Sequence, residues 1–242
     1  MKHSHTLLLA CAMAASLSKP AAAEPRAVLE LFTSQGCSSC PAADRLLGEL
    51  AKDSSVIALS LPVDYWDYLG WKDTLADPRN SARQRAYSRV RGDREIYTPQ
   101  VVVNGVIPVL GSKKGDIDDA ISQSRRNTMT LAVRLARTAD ILTVSVPDAS
   151  GSFAKGEVWI CGVTRSVPVD IGRGENSGRK ITYVNVTRRW VKAGDWNGKA
   201  ASWTISVGDI ADEGVDSAAA IVQSGDIERP GPMIGATLVS LR

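Results

Sequence analysis

Hydrophobic and polar positions follow two different rhythms along this chain, and the change falls near its middle. Residues 27–32 (AVLELF) and Val56–Pro62 (VIALSLP) are short, nearly continuous apolar runs, the pattern of strands buried on both faces. Between them Ala43, Leu46, Leu47 and Leu50 recur at helical spacing. Pro41 precedes them, where its missing N–H costs nothing in a first turn. Asp77-Pro78 reads as an N-cap and a first helical residue, and predicts a polar helix over residues 79–91 closed by Gly92. Residues 97–111 (YTPQVVVNGVIPVLG) set two β-branched runs around Asn104-Gly105, the strongest short-range hairpin signal. Pro108 cannot donate to a ladder, so the second of these strands belongs at a sheet edge. A helix follows from Lys114, with Ile117, Ala120, Ile121 and Ser124 on one face.

From Thr128 the period becomes two. Met129, Leu131, Val133 and Leu135 alternate with other residues, as do Leu142, Val144 and Val146. Further strands are expected over residues 157–163, 180–188, 201–207, 218–223 and 236–241, separated by turns such as Asp195-Trp196-Asn197-Gly198. Seven or so short strands without a long helix predict a β-sandwich of about a hundred residues. The boundary between the two halves is expected near Asn127.

The N-terminus changes where this protein is expected to work. Met1-Lys2-His3, an apolar stretch over residues 7–17 and Ala21-Ala22-Ala23 have the layout of a cleaved secretory signal, with Glu24 as the mature start. The apolar stretch is too short to span a bilayer, and no later segment is long and apolar enough. The protein is therefore expected in the periplasm or secreted. Removal of 23 from 242 residues leaves 219, enough for one large or two small domains. Both histidines, His3 and His5, leave with the signal. This excludes Ser–His and Cys–His catalysis and His-rich metal sites. Loss of Lys2 and Lys19 drops the net charge from +3 to +1. A near-neutral chain gives no electrostatic reason to expect nucleic acid or an anionic membrane surface as partner.

Three cysteines then remain, Cys37, Cys40 and Cys161. Cys37-Ser38-Ser39-Cys40 closes too short a loop to be a good structural staple. Its spacing suits reversible redox chemistry or metal binding, and no second pair completes a four-ligand zinc site. Two thiolates also suit Cu(I), but the mature chain has only Met129 and Met233 to help. The pair falls between a strand and a helix, where helix-terminal N–H groups favour a thiolate. Cys37 is expected to be exposed there as the attacking thiol, and Cys40, one turn on, to be the resolving thiol. Cys161, in an apolar strand, reads as an inert buried thiol. Tyr65, Trp66, Tyr68 and Trp71 are either a partner-binding lip beside Cys37 or packing, and Asp64 and Asp67 either assist proton transfer or cap turns.

The order strand, CxxC-helix, strand, helix, Thr98-Pro99, hairpin, helix over residues 27–127 resembles the thioredoxin superfamily. That resemblance implies a cis proline at Pro99 packed against the active-site pair, with Thr98 and Pro99 at the edge that receives a partner peptide. The chain departs from thioredoxin at Gly36, where that family has Trp, and at Leu31, where it has a buried Asp. Glu30 is one residue off and faces the other way. The phrases LELFTSQGCSSCP, VDYWDYLGWKD, SARQRAY and YTPQVVVNG, with GENSGR at residues 174–179, are similar to the secreted bacterial family called Domain of Unknown Function 1223. Together these readings predict an α+β protein. A thioredoxin-like α/β domain over residues 24–127, with an insertion at about 63–96, precedes an all-β, sandwich-like domain over residues 128–242. The expected activity is disulfide exchange with the thiols or disulfides of a periplasmic partner protein, with no cofactor and no metal. A non-catalytic adaptor and Cu(I) capture by the same thiols are the alternatives.

Overall fold

The structure is a computed structural model and describes residues 25–125, 128–150 and 155–242. The secretory segment at residues 1–23, the start at Glu24 and the expected boundary at Asn127 lie outside the described residues. Strand β1 (Ala27–Thr33) pairs in parallel with β2 (Val56–Pro62), in register from Ala27 opposite Val56 to Thr33 opposite Pro62. Helix α1 (Cys40–Leu50) is the crossover between them. Every residue of both strands is buried, which is why neither shows a period-two pattern. Helix α2 (Pro78–Arg91) begins where the Asp77 carboxylate accepts the Arg79 N–H at 2.8 Å, and ends at Gly92 with φ 79°. Strand β3 (Gln100–Val103) runs antiparallel to β1 and turns through Asn104 and Gly105 into β4 (Ile107–Leu110). Both turn residues have positive φ, 50° and 74°. β4 is the sheet edge that Pro108 requires. Helix α3 (Lys114–Ser124) follows.

The second half contains β5 (Arg134–Thr138), β6 (Ile141–Val146), β7 (Gly156–Asp170), β8 (Lys180–Trp196), β9 (Ala201–Ser206), the short α4 (Val207–Ile210), β10 (Ser217–Gly225) and β11 (Pro230–Ser240). These strands overturn the expected arrangement of a thioredoxin-like α/β domain followed by a β-sandwich of its own. The chain is mostly β, and four strands of the second half continue the sheet of the first. The order is β11-β10-β7-β8-β2-β1-β3-β4, a mixed sheet of eight strands. A three-stranded sheet, β5-β6-β9, packs over one end of it. Between them lies a core of Leu142, Val144, Val158, Ile160, Val222 and their neighbours.

The seam between the halves is narrow. β2 and β8 share one ladder pair, Ser60 opposite Val186. Polar side chains complete it. Ser60 donates to the Val184 carbonyl at 2.8 Å, Asn185 to the Ala58 carbonyl at 2.9 Å and Thr187 to the Ser60 carbonyl at 3.1 Å. Alternation along a strand tells which side chains face a core, but not which strand lies alongside.

β1 divides the first half into two cores. Leu29 and Leu31 face α1 and α3, whereas Val28 and Phe32 join Tyr87 of α2 on the opposite face. Glu30 points to that second face, as its strand position predicts. It is fully buried and accepts from Arg83 Nε at 2.7 Å and from the Tyr87 hydroxyl at 2.6 Å. Cys161 is buried on the same side, and burial pushes its thiol up to about 12.

Candidate functional site

Thr33 ends β1, and residues 34–39 turn the chain into α1. Cys37 and Cys40 flank the last part of that turn and are joined as a disulfide, with 5.4 Å between their Cα atoms. Ser38 and Ser39 are exposed, and the Ser39 hydroxyl lies 3.4 Å from Cys37 Sγ. Cys37 itself is not the exposed thiol that the helix terminus predicts. It is 3% exposed and Cys40 is fully buried. The local pattern placed the pair at the helix start but could not show what later segments fold over it.

Two segments do so. The first is the aromatic connection after β2. Trp66 sits against Gly36, and its indole N–H donates to the Thr98 hydroxyl at 2.8 Å. A Cβ on Gly36 would lie 3.1 Å from the Trp66 Cβ and 3.3 Å from its carbonyl oxygen. The glycine is therefore where Trp66 approaches the disulfide loop. Gly36→Ala should cost about 1 kcal/mol by overpacking, read as a lower urea midpoint with unchanged m. An unchanged midpoint would show that the loop yields freely. Tyr65 donates to Gln84 at 3.1 Å. Tyr68 stacks on Trp66 with ring centres 6.4 Å apart and remains 77% exposed. Asp64 lies in the bend after β2 and Asp67 opens a short 3-10 helix (Asp67–Leu69). Asp64 accepts the Ser81 hydroxyl at 2.5 Å, and Asp67 accepts the Asp73 N–H at 3.0 Å.

The second segment is the tip of the β7–β8 hairpin, whose strands run to 15 and 17 residues. β7 runs beyond Val163, where the expected strand ends, through mostly exposed positions to Asp170 opposite Lys180, while β8 starts at Lys180 as expected and carries the buried Ile181, Tyr183 and Val186. This brings Asn176 to the disulfide loop. Its Nδ2 donates to the carbonyls of Gln35 at 2.9 Å and Cys37 at 2.8 Å. Glu175 accepts the Ser38 N–H at 3.3 Å. Trp71 packs against Gly172 and Gly174 of the tip and donates to Gln35 Oε1 at 2.7 Å. Gln35 is thus held from both sides.

Beneath the pair are two buried carboxyls, neither among the site residues expected from the sequence. Asp44 lies four residues along α1 from Cys40, on the same buried face. Its Oδ1 accepts the Thr33 hydroxyl at 2.7 Å, and its Oδ2 has no partner among the described residues. Burial pushes this carboxyl up to about 7, against the Thr33 hydrogen bond and with the charge of Asp73 adding to it. Asp73 accepts the N–H groups of Gln35 and Leu75, both at 2.8 Å, and burial raises it to about 6. Tyr183 of β8 is buried with a hydroxyl that has no partner among the described residues. Burial and the two carboxyls push its pKa upward. Asp44 was legible as a carboxylate between Ala43 and Leu46 in an apolar stripe. Asn176 had no local signal.

The other two predicted residues are on the same side. The Thr98–Pro99 peptide is cis. The Thr98 hydroxyl is occupied by Trp66, and the Pro99 carbonyl accepts the Gly111 N–H at 3.0 Å. Pro99 and Ala43 of α1 both crowd the space above Gly111, where a Cβ would lie 3.2 Å and 3.3 Å from theirs. The cis proline and the CxxC helix thus both border Gly111. Among the described residues no group of three or more metal-ligating side chains is present, and no helix is long and apolar enough to cross a membrane.

The fold and site define a mixed-sheet protein whose CxxC disulfide is set at a helix start and clamped by a hairpin from the second half of the chain. The chain belongs to the family described as protein of unknown function DUF1223, whose profile matches residues 28–223. It is similar to a crystal structure of a protein from Agrobacterium tumefaciens, determined by a structural genomics consortium. The two share 30% identity, with a TM-score of 0.80 over 90% of this chain and 96% of that one. HBP35 of Porphyromonas gingivalis is similar in fold, at 16% identity and a TM-score of 0.60 over 90% of this chain and 76% of that one. No functionally curated protein matches the sequence.

Proposed function

We propose that the protein exchanges disulfides with partner proteins outside the cytoplasm, with Cys37 as the sulfur attacked and Cys40 as the leaving and resolving thiol. The observation that carries this reading is the Cys37–Cys40 disulfide at the start of α1, with a buried protonatable carboxyl, Asp44, one turn below Cys40. A partner thiolate attacks Cys37 Sγ. The partner–Cys37 bond forms, the Cys37–Cys40 bond breaks, and Cys40 leaves as a thiolate. Asp44, whose pKa of about 7 leaves it partly protonated at neutral pH, supplies a proton to that thiolate. A second partner thiolate then attacks the mixed disulfide and releases Cys37 as a thiolate. The partner is oxidised by two electrons and the protein is reduced, and the reverse sequence reduces a partner disulfide. Thr98 and Pro99 form the edge against which the partner segment lies. The disulfide is consistent with an oxidising compartment.

A Cys40→Ser variant cannot resolve the mixed disulfide. Incubated with periplasmic extract, it should trap partner proteins through Cys37, seen as adducts that dithiothreitol releases and that peptide mass spectrometry places on Cys37. No adduct, or an equal yield from Cys37→Ser, would end this reading.

A further inference from the structure

On the face of the sheet opposite α1, a cavity of about 390 Å³ opens between α2, β7, β8 and the turn joining β10 to β11. Its size is in the range of small-molecule sites. Trp159, Trp190 and Ile227 make apolar wall, and Ile227 is 53% exposed although large and aliphatic. Four arginines line the same space, and their charges are not equally free. Arg83 is spent on buried Glu30, and its guanidinium lies over Trp190 at 5.1 Å. Arg79 is spent on Asp77, with its Nε 2.9 Å from the carboxylate. Arg85 has no ion pair among the described residues. Among the described residues Arg89 meets only Glu228, at 3.6 Å with both side chains more than half exposed, a pairing worth little in water.

Arg85 and Arg89 stand four residues apart on one face of α2, where like charges repel. An anion placed between them would relieve that repulsion. A second groove, lined by Arg85, Ser88, Arg89, Arg94 and Ile96, shares both residues, so the positive charge continues along the rim. Within the wall, the Trp190 indole N–H is buried and has no acceptor among the described residues. Trp159 by contrast donates to Glu157 at 3.0 Å. The cavity thus combines two aromatic side chains with two under-neutralised guanidinium groups at its mouth.

We propose that this cavity binds a small aromatic anion, whose ring lies against Trp159 and Trp190 and whose carboxylate or sulfonate is held by Arg85 and Arg89. The proposal stands apart from the disulfide reading, since no residue of the cavity belongs to that site. The probe is 1-anilinonaphthalene-8-sulfonate, followed by its own fluorescence and by energy transfer from tryptophan. Uncharged N-phenyl-1-naphthylamine and inorganic sulfate are run beside it. One saturable site is expected, binding the sulfonate at least tenfold more tightly than the uncharged naphthylamine and weakening as salt is added. The exposed double variant Arg85→Gln/Arg89→Gln should weaken the sulfonate at least tenfold and the uncharged probe less than twofold. Equal affinity for the two probes, or a sulfonate indifferent to the double substitution, would overturn the proposal. So would displacement of the probe by sulfate at equimolar concentration, because that would make the aromatic wall irrelevant. A thermal melt of the double variant matching the parent keeps the comparison valid, and Trp159→Ala, which removes part of the aromatic wall, provides an independent second arm. It should weaken both probes at least threefold, and unchanged affinities would count against the site.

Discussion

Between pH 5 and pH 8 the protein should lose about 3 kcal/mol of folding stability through Asp44 alone, and Asp44→Asn should abolish most of that loss. In the unfolded chain this carboxyl releases its proton near 3.8, whereas in the fold it keeps it up to about 7. Between these values the folded state binds more protons than the unfolded state. Stability therefore falls as pH rises, at about 1.4 kcal/mol per pH unit over the two units from pH 5 to 7, and levels off above. The folded-state pKa is raised, so the contribution is most favourable below the unfolded value and is lost on the alkaline side. Asp73, raised to about 6, acts in the same direction over a lower range. The two carboxyls are coupled, so their effects do not simply add. Asparagine keeps an oxygen for the Thr33 hydroxyl and cannot ionise. Urea unfolding of both proteins at pH 5 and pH 8 reads the difference directly. A variant with the parent's pH slope would show that Asp44 is ionised in the fold at neutral pH, and would remove its role as proton donor to Cys40.

The second large effect is expected at Asn104, where the alanine variant should lose about 3–5 kcal/mol. Its side chain is fully buried and fills three roles at once. Oδ1 accepts the Val28 N–H at 2.7 Å, and Nδ2 donates to the hydroxyls of Ser124 at 2.9 Å and Thr128 at 3.0 Å. Alanine leaves a buried backbone donor and two hydroxyl groups without that partner, at roughly 1–3 kcal/mol for the N–H alone. It must also adopt φ 50°, which costs a further 1–2 kcal/mol or so. Asn104→Gly accepts the backbone angle but restores none of the hydrogen bonds, so it should recover about 1 kcal/mol over alanine. Denaturant midpoints of the two variants separate these contributions. A loss below about 1 kcal/mol in the alanine variant would mean that water replaces the side chain, contrary to its burial.

What the sequence could show follows from how far each signal reaches. Asp77, Pro78 and Gly92 delimit α2 because caps act within one turn. Asn104-Gly105 marks the β3–β4 turn because positive φ is a local demand. The buried polar knot at Asn104 was not visible, since Ser124 and Thr128 lie at least twenty residues away. Likewise β7 is expected to end at Val163, because its outer part to Asp170, which with the start of β8 carries Asn176 to the disulfide loop, shows no apolar alternation. The order of strand, CxxC-helix, strand, helix, hairpin and helix in the first half was legible element by element, yet an order of elements does not say where a sheet ends. Ser60, Asn185 and Thr187 decide that here, and each looked like an ordinary polar interruption. The burial of Cys37 was hidden in the same way, because Trp66 at Gly36 and Asn176 at the Cys37 carbonyl hold its loop from distances that spacing does not encode.

The narrow seam has a further consequence, for aggregation. β2 is VIALSLP, apolar nearly throughout and without a lysine or any other charge to blunt its outer edge. Left bare, it would offer its unpaired N–H and C=O groups to a strand of another molecule. β8 closes that edge with one ladder pair, while Asn185 and Thr187 satisfy the carbonyls of Ala58 and Ser60. The second half of the chain thus shields the first from intermolecular pairing, with side chains standing in for most of a β-ladder.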